Sequence, residues 1–111
     1  MKSEECSERD IQRAVMEWAS VALPRCVRVQ SGNFRARGSI VHGAQAGTPD
    51  LLGFCEHGRI VAFEVKREGA KMTTEQENWI ATVVRHGGIA GVVRSVEDAA
   101  RVLSDGCERH G

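Results

Sequence analysis

Gly47-Thr48-Pro49-Asp50-Leu51-Leu52-Gly53-Phe54, followed after a short break by Arg59-Ile60-Val61-Ala62-Phe63-Glu64-Val65-Lys66, decides how this chain is read. Leu51 to Cys55 and Ile60 to Val65 are short apolar runs bounded by turn residues, the pattern of two β-strands. Between them stands Glu56-His57-Gly58. A three-residue hairpin loop places a residue in the left-handed conformation at its end, which suits Gly58. That loop makes Phe54 oppose Ile60, Leu52 oppose Ala62 and Asp50 oppose Glu64, with Lys66 pointing the same way two residues on. A two-residue His57-Gly58 turn would instead slip the register by one and send the carboxylates to opposite faces.

Charges inside otherwise apolar strands are costly unless they pair or bind a metal. Two carboxylates roughly 5 Å apart repel, and a shared proton or a divalent cation relieves the repulsion. Oxygen ligands of this kind suit Mg2+ or Mn2+. The competing reading is a solvated sheet face carrying a Lys–Glu pair.

These residues carry a resemblance. Pro49-Asp50, a gap, then Glu64-Val65-Lys66 looks like the PD-(D/E)xK nuclease signature. With Thr73-Thr74-Glu75-Gln76, Gly87-Gly88-Ile89-Ala90 and the opening Glu8-Arg9-Asp10-Ile11-Gln12-Arg13-Ala14, the chain resembles the virus-type replication-repair nuclease (VRR-NUC) family in its small stand-alone form. The resemblance runs in order from about Glu8 to Ala99. It implies a restriction-endonuclease-like α/β core and a metal-dependent deoxyribonuclease. Asp50 and Glu64 are then the metal-holding carboxylates, with Glu8 completing the site and the Val65 backbone carbonyl as a further ligand. Lys66 orients or deprotonates the attacking water, or acts only through its charge. Gln76 positions the water or Lys66. The resemblance also implies a homodimer acting on branched DNA, with four-way (Holliday) junctions as the expected substrate. The alternative is a non-catalytic DNA-binding or assembly module that keeps the fold.

At 111 residues the chain has room for one domain, taken as 1–111, with a single modest core. Its 15 basic and 15 acidic residues balance, so net charge does not announce a nucleic-acid binder. The distribution says more: from Pro24 to Thr48 stand Arg25, Arg28, Arg35, Arg37 and His42 without an acid. Arg28, Arg35, Arg37 and, further on, Lys71 are the candidate DNA contacts, against the plainer reading of solvated loop cations. Cys6, Cys26, Cys55 and Cys107 show no zinc-ligand spacing, and Cys26 and Cys55 read as small core residues. Neither a secretory signal nor a run long enough to span a membrane is evident. A soluble intracellular protein is expected, in a bacterial cytoplasm or a phage-infected cell.

In order along the chain, Met1 to Cys6 reads as frayed. Ser7 caps a helix from Glu8 to about Ala22, with Ile11, Ala14, Val15, Trp18, Ala19 and Ala22 on one face. Glu8 sits in its first turn, where an acid also complements the helix dipole; Glu4 and Glu5 are rivals for the metal role. Val27-Arg28-Val29-Gln30 alternates as a strand with the valines inward. Ser31-Gly32-Asn33 reads as a turn, and Phe34 to Gly47 as a mobile loop over the site with a possible short strand at Ser39-Ile40-Val41. Phe34 and the Gly38–Gly47 loop are the dimer-surface candidates. A second helix starts near Thr73 or Thr74, where Gln76 is either a capping partner or an active-site amide. Trp79, Ile80, Val83 and Val84 form its apolar face before Gly87-Gly88. Ile89 to Val93 reads as an interior strand, with Gly91 marking a close neighbour. A last helix runs from Val96 to about Leu103 and stops at Asp105-Gly106. A helix between Val65 and Ile89 lets the chain return parallel, giving a mixed sheet flanked by helices.

Overall fold

The loop at Glu56–Gly58 closes as the three-residue connection. Cys55 N–H donates to the Arg59 carbonyl at 3.0 Å and Gly58 N–H to the Cys55 carbonyl at 2.9 Å, with Gly58 at φ +83°. Strands β4 (Leu51–Phe54) and β5 (Ile60–Val65) therefore pair antiparallel with Phe54 opposite Ile60 and Leu52 opposite Ala62, the register that puts Asp50 and Glu64 on one face.

The computed structural model describes residues 7–31 and 33–110, and the side chains of all of these except 33–36, 41, 109 and 110. The expected frayed start, the rivals Glu4 and Glu5, Gly32, and the side chains of Phe34 and Arg35 thus lie outside the described residues. Helix α1 (Glu8–Ala22) leads into β1 (Arg25–Arg28), a hairpin of β2 (Asn33–Ala36) and β3 (Ser39–His42), the β4–β5 hairpin, α2 (Thr74–Arg85), β6 (Ile89–Val93) and α3 (Val96–His110). The main sheet has the order β1-β4-β5-β6. β1 and β4 are antiparallel to their neighbours, and β6 returns parallel to β5 after α2, so the sheet is mixed as expected. Among the described residues no helix is long and apolar enough to cross a membrane.

One sheet face carries Leu51, Phe63, Val65, Ile89 and Val93, all fully buried, against Ile11, Val15 and Ala19 of α1 and Ala99 of α3. Ala14 and Ala22, assigned to the same helical face, are exposed. Ser7 caps α1 as expected, its Oγ accepting from Asp10 N–H at 3.1 Å. Cys55 is buried in this core and Cys26 packs on its edge.

Four further expectations need correction. Val27 is 58% exposed. It pairs with Leu52, on the face away from α1 and α3, so Cys26 opposite Gly53 is the inward residue of β1. Alternation fixes the period of a strand but not which phase meets the core. Ser39–His42 forms the short strand expected at Ser39-Ile40-Val41, but the rest is not a loop: it pairs with Asn33–Ala36 as a hairpin whose turn, Arg37-Gly38, has φ +53° and +80°, the double positive pair that two-residue hairpins use. β6 is an edge strand of its sheet, its two ends buried by α2 and α3 instead of by a second strand neighbour.

The fourth correction is α3, which continues through Asp105-Gly106 to His110. Gly106 is buried, and a methyl there would lie 2.6 Å from Ile89 Cγ2, so the glycine is a contact point between helix and sheet and not a stop. Gly91 plays the same part from the strand side, facing Val102. This yields opposed expectations for Gly106→Ala. Helix propensity alone favours alanine by about 1 kcal/mol, but Ile89 is fully buried and has no room to give. Overpacking prevails: urea unfolding is expected to show a net loss of about 1–2 kcal/mol.

Candidate active site

The β4–β5 ladder ends at Leu51–Phe63. Carrying its register two residues further sets Val65 opposite Pro49, which has no N–H to offer. That leaves the Val65 carbonyl without a ladder donor, while the Val65 N–H is taken by the Asp50 carboxylate, whose Oδ2 accepts it at 2.9 Å. In a strand a residue's N–H and C=O project toward the same neighbour, so the Val65 carbonyl also faces the Asp50 side. The next residue alternates, and Lys66 N–H donates to Val93 of β6 at 3.1 Å.

The approach to Asp50 is held by packing. Thr48 is buried, its Oγ1 donating to the Gln45 carbonyl at 2.6 Å, and Pro49 is fully buried. Gly47 has φ +89°, and a methyl there would sit 2.7 Å from Glu75 Cβ, so the segment lies directly on the first turn of α2. On its other side Asp50 accepts, through its carbonyl, from Val29 N–H at 2.7 Å, and Ala44 N–H donates to Gln30 at 2.8 Å. The β2–β3 hairpin is therefore rooted beside the site.

Glu64 is 2% exposed, with Oε1 buried and without a hydrogen-bond partner among the described residues. Its Oε2 lies 4.0 Å from Lys66 Nζ, itself largely covered. Burial, then the neighbouring Asp50 charge, pushes the Glu64 pKa up to about 8, with Lys66 opposing. Burial likewise raises Asp50; the Val65 N–H works against that rise and the Glu8 charge adds to it. Without a cation the two acids are thus driven to share a proton.

Glu8, Arg28 and Asp50 line one open cleft of about 300 Å³. Among the described residues no three His, Cys, Asp or Glu side chains already form a ligand cluster. The donors present still fit a hard divalent ion: two adjacent carboxylates, one with an unpartnered buried oxygen, and a backbone carbonyl on the same side. The structure thus brings together Asp50, Glu64, Val65 and Lys66, with Glu8 and Arg28 at the cleft. Gln76 forms the reciprocal cap of α2: its Oε1 accepts from Thr73 N–H at 2.9 Å while Thr73 Oγ1 accepts from Gln76 N–H at 3.1 Å. Arg37 stands in the hairpin turn and Lys71 in the exposed connector before α2, neither on the cleft wall. Sequence reasoning missed Arg9 and Gln12, which line the cleft with Glu8; the offset of four residues between Glu8 and Gln12 was the available signal.

The VRR-NUC domain family matches residues 3–97. No curated protein matched the chain. Members of this family have a PD-(D/E)xK-like nuclease fold, which accounts for a mixed sheet whose second hairpin strand ends in Glu64-Val65-Lys66 beside Asp50. With the match covering most of its length, the chain belongs to the VRR-NUC domain family of nucleases.

Proposed function

We infer that the protein is a metal-dependent, structure-selective endodeoxyribonuclease. The observation carrying this reading is the convergence of Asp50, buried Glu64 and Lys66 where one strand ladder ends. Asp50, Glu64 and the Val65 carbonyl would hold Mg2+ or Mn2+, with Glu8 reaching in from the cleft. A cation held there supplies Lewis-acid polarisation of the phosphate and eases ionisation of the attacking water. Lys66 sets a positive charge beside the reacting phosphate and offsets the charge that builds on it in the transition state. Gln76, from the capped turn of α2, orients Lys66 or the water through its remaining amide hydrogens. Arg28, Arg35, Arg37 and Lys71 contact the DNA backbone.

Selectivity for four-way junctions and action as a homodimer are part of the proposal, carried over from the resemblance to small members of the family. A twofold dimer presents two sites to the two equivalent strands of a junction. One small domain has little surface for reading bases, so shape governs the choice of substrate.

Asp50→Ala, Glu64→Gln and Lys66→Ala are each expected to lower junction cleavage at least about a hundredfold while junction binding in EDTA is largely kept. Native cutting by Asp50→Ala on a denaturing gel would refute the site assignment.

The proton on Glu64 gives a second check. Its folded, cation-free pKa of about 8 lies above that of an unfolded glutamate. The stability it contributes is therefore complete at acid pH and is lost as pH rises through about 8. Cation binding displaces the proton and strengthens over the same interval. Mn2+ is expected to raise the melting temperature more at about pH 8.5 than at about pH 6, and Glu64→Gln to abolish that difference. A Mn2+ shift independent of pH argues against Glu64 as a ligand.

A further inference from the structure

The cleft beside Asp50 does not end at the carboxylates. Arg9, Gln12 and Arg28 line it, and the same three residues line a second open space of about 520 Å³ that continues along α1 past Arg13 and Met16 to Glu17. Arg9, Gln12, Arg13, Met16 and Glu17 recur at helical spacing, so they present one face of α1. Arg28 closes the trough from β1, with its Nη1 3.4 Å from Gln12 Oε1.

The charges along this trough are uneven. Its outer part has Arg9, Arg13 and Arg28 against the single acid Glu17. Among the described residues neither Arg9 nor Arg28 is ion-paired, and Arg28 meets only a neutral amide. Arg13 has an exposed carboxylate 3.9 Å away on Asp10, a contact too long and too solvated to neutralise it. Next to the site the signs reverse, with Glu8 and Asp50 on the wall.

We propose that the trough between α1 and β1 is the subsite for the DNA strand flanking the cleaved bond, with Arg9, Arg13 and Arg28 on successive phosphates. This rests on the nuclease reading above and extends it to residues off the carboxylate hairpin. A cation at the carboxylates and arginines beyond them give a strand one continuous run of positive charge. Arg9 and Arg13 are separated by four residues, about 6 Å along the helix, so they meet different phosphates and not one.

The test titrates a fluorescein-labelled four-way junction with the 111-residue chain in EDTA over a series of salt concentrations. Steady-state cleavage is measured in parallel with Mn2+. For the double variant Arg9→Ala/Arg28→Ala the expected result is about tenfold weaker binding and a salt slope shallower by about 1–2 units, as for loss of one or two phosphate contacts. KM rises while kcat at saturating DNA stays within about twofold. Arg9→Lys/Arg28→Lys restores most of the slope, and Arg85→Ala on the exposed end of α2 leaves it unchanged. Thermal melts establish that each variant is folded. An unchanged slope in the double alanine variant, or an equal drop in Arg85→Ala, overturns the subsite while wild-type cleavage leaves the nuclease reading standing. A wild-type chain that neither binds nor cuts the junction removes both.

Discussion

Where β4 gives way to Pro49, the backbone of β5 loses its partner, and a side chain takes over. The Asp50 carboxylate accepts the Val65 N–H that a backbone carbonyl would otherwise receive. That substitution keeps a buried strand end satisfied. It also brings an acid to within one residue of Glu64 on the same face. Proline is central to this arrangement: with an N–H at that position the ladder could run on, and the Val65 carbonyl would have a strand partner. The missing hydrogen frees the Val65 carbonyl, and the Val65 N–H beside it fixes the acid at the same place.

The surroundings show that the acids are tolerated instead of avoided. Glu64 is more deeply buried than many apolar residues of the chain, and one of its oxygens lacks a partner among the described residues. An isolated carboxylate in such a place is costly, and Lys66 at 4.0 Å offsets only part of that cost. The fold also commits Gly47, pressed onto Glu75, and the buried Thr48-Pro49 to hold Asp50 still. Conflict between local pattern and burial, concentrated at one point and rigidly supported, is the signature of a site that a ligand completes.

The β4–β5 hairpin was legible because its turn and its two apolar runs agree, so register, shared face and parallel return all followed. The reading failed where signals were symmetric or doubled. Val27 and Cys26 are both apolar, and a four-residue strand does not say which one meets the core. Arg37-Gly38 makes a tight turn without asparagine or aspartate in its first position, so a hairpin passed for a loop. Asp105-Gly106 has the composition of a helix end, but Ile89 across the interface makes the glycine a packing requirement. Thr73 and Gln76 fit a capping box and a site amide together: the geometry shows the box, which uses the Gln76 Oε1 and leaves its amide hydrogens for the proposed site.

Net charge was the least informative quantity, and the structure explains why. Equal numbers of acids and bases say nothing about DNA when the charges are segregated on the scale of the screening length, about 8 Å at physiological ionic strength. A phosphate in the cleft feels the groups on its walls and little of the remaining surface. Those walls change sign over a short distance, from Glu8 and Asp50 to Arg9, Arg13 and Arg28. On the proposed function, the acidic end repels a polyanion until a cation occupies it, whereas the basic end attracts one at any time. Substrate and cation would then be coupled, each lowering the electrostatic cost of the other's arrival, and a chain of zero formal charge would need no basic surplus to hold DNA where its acids meet.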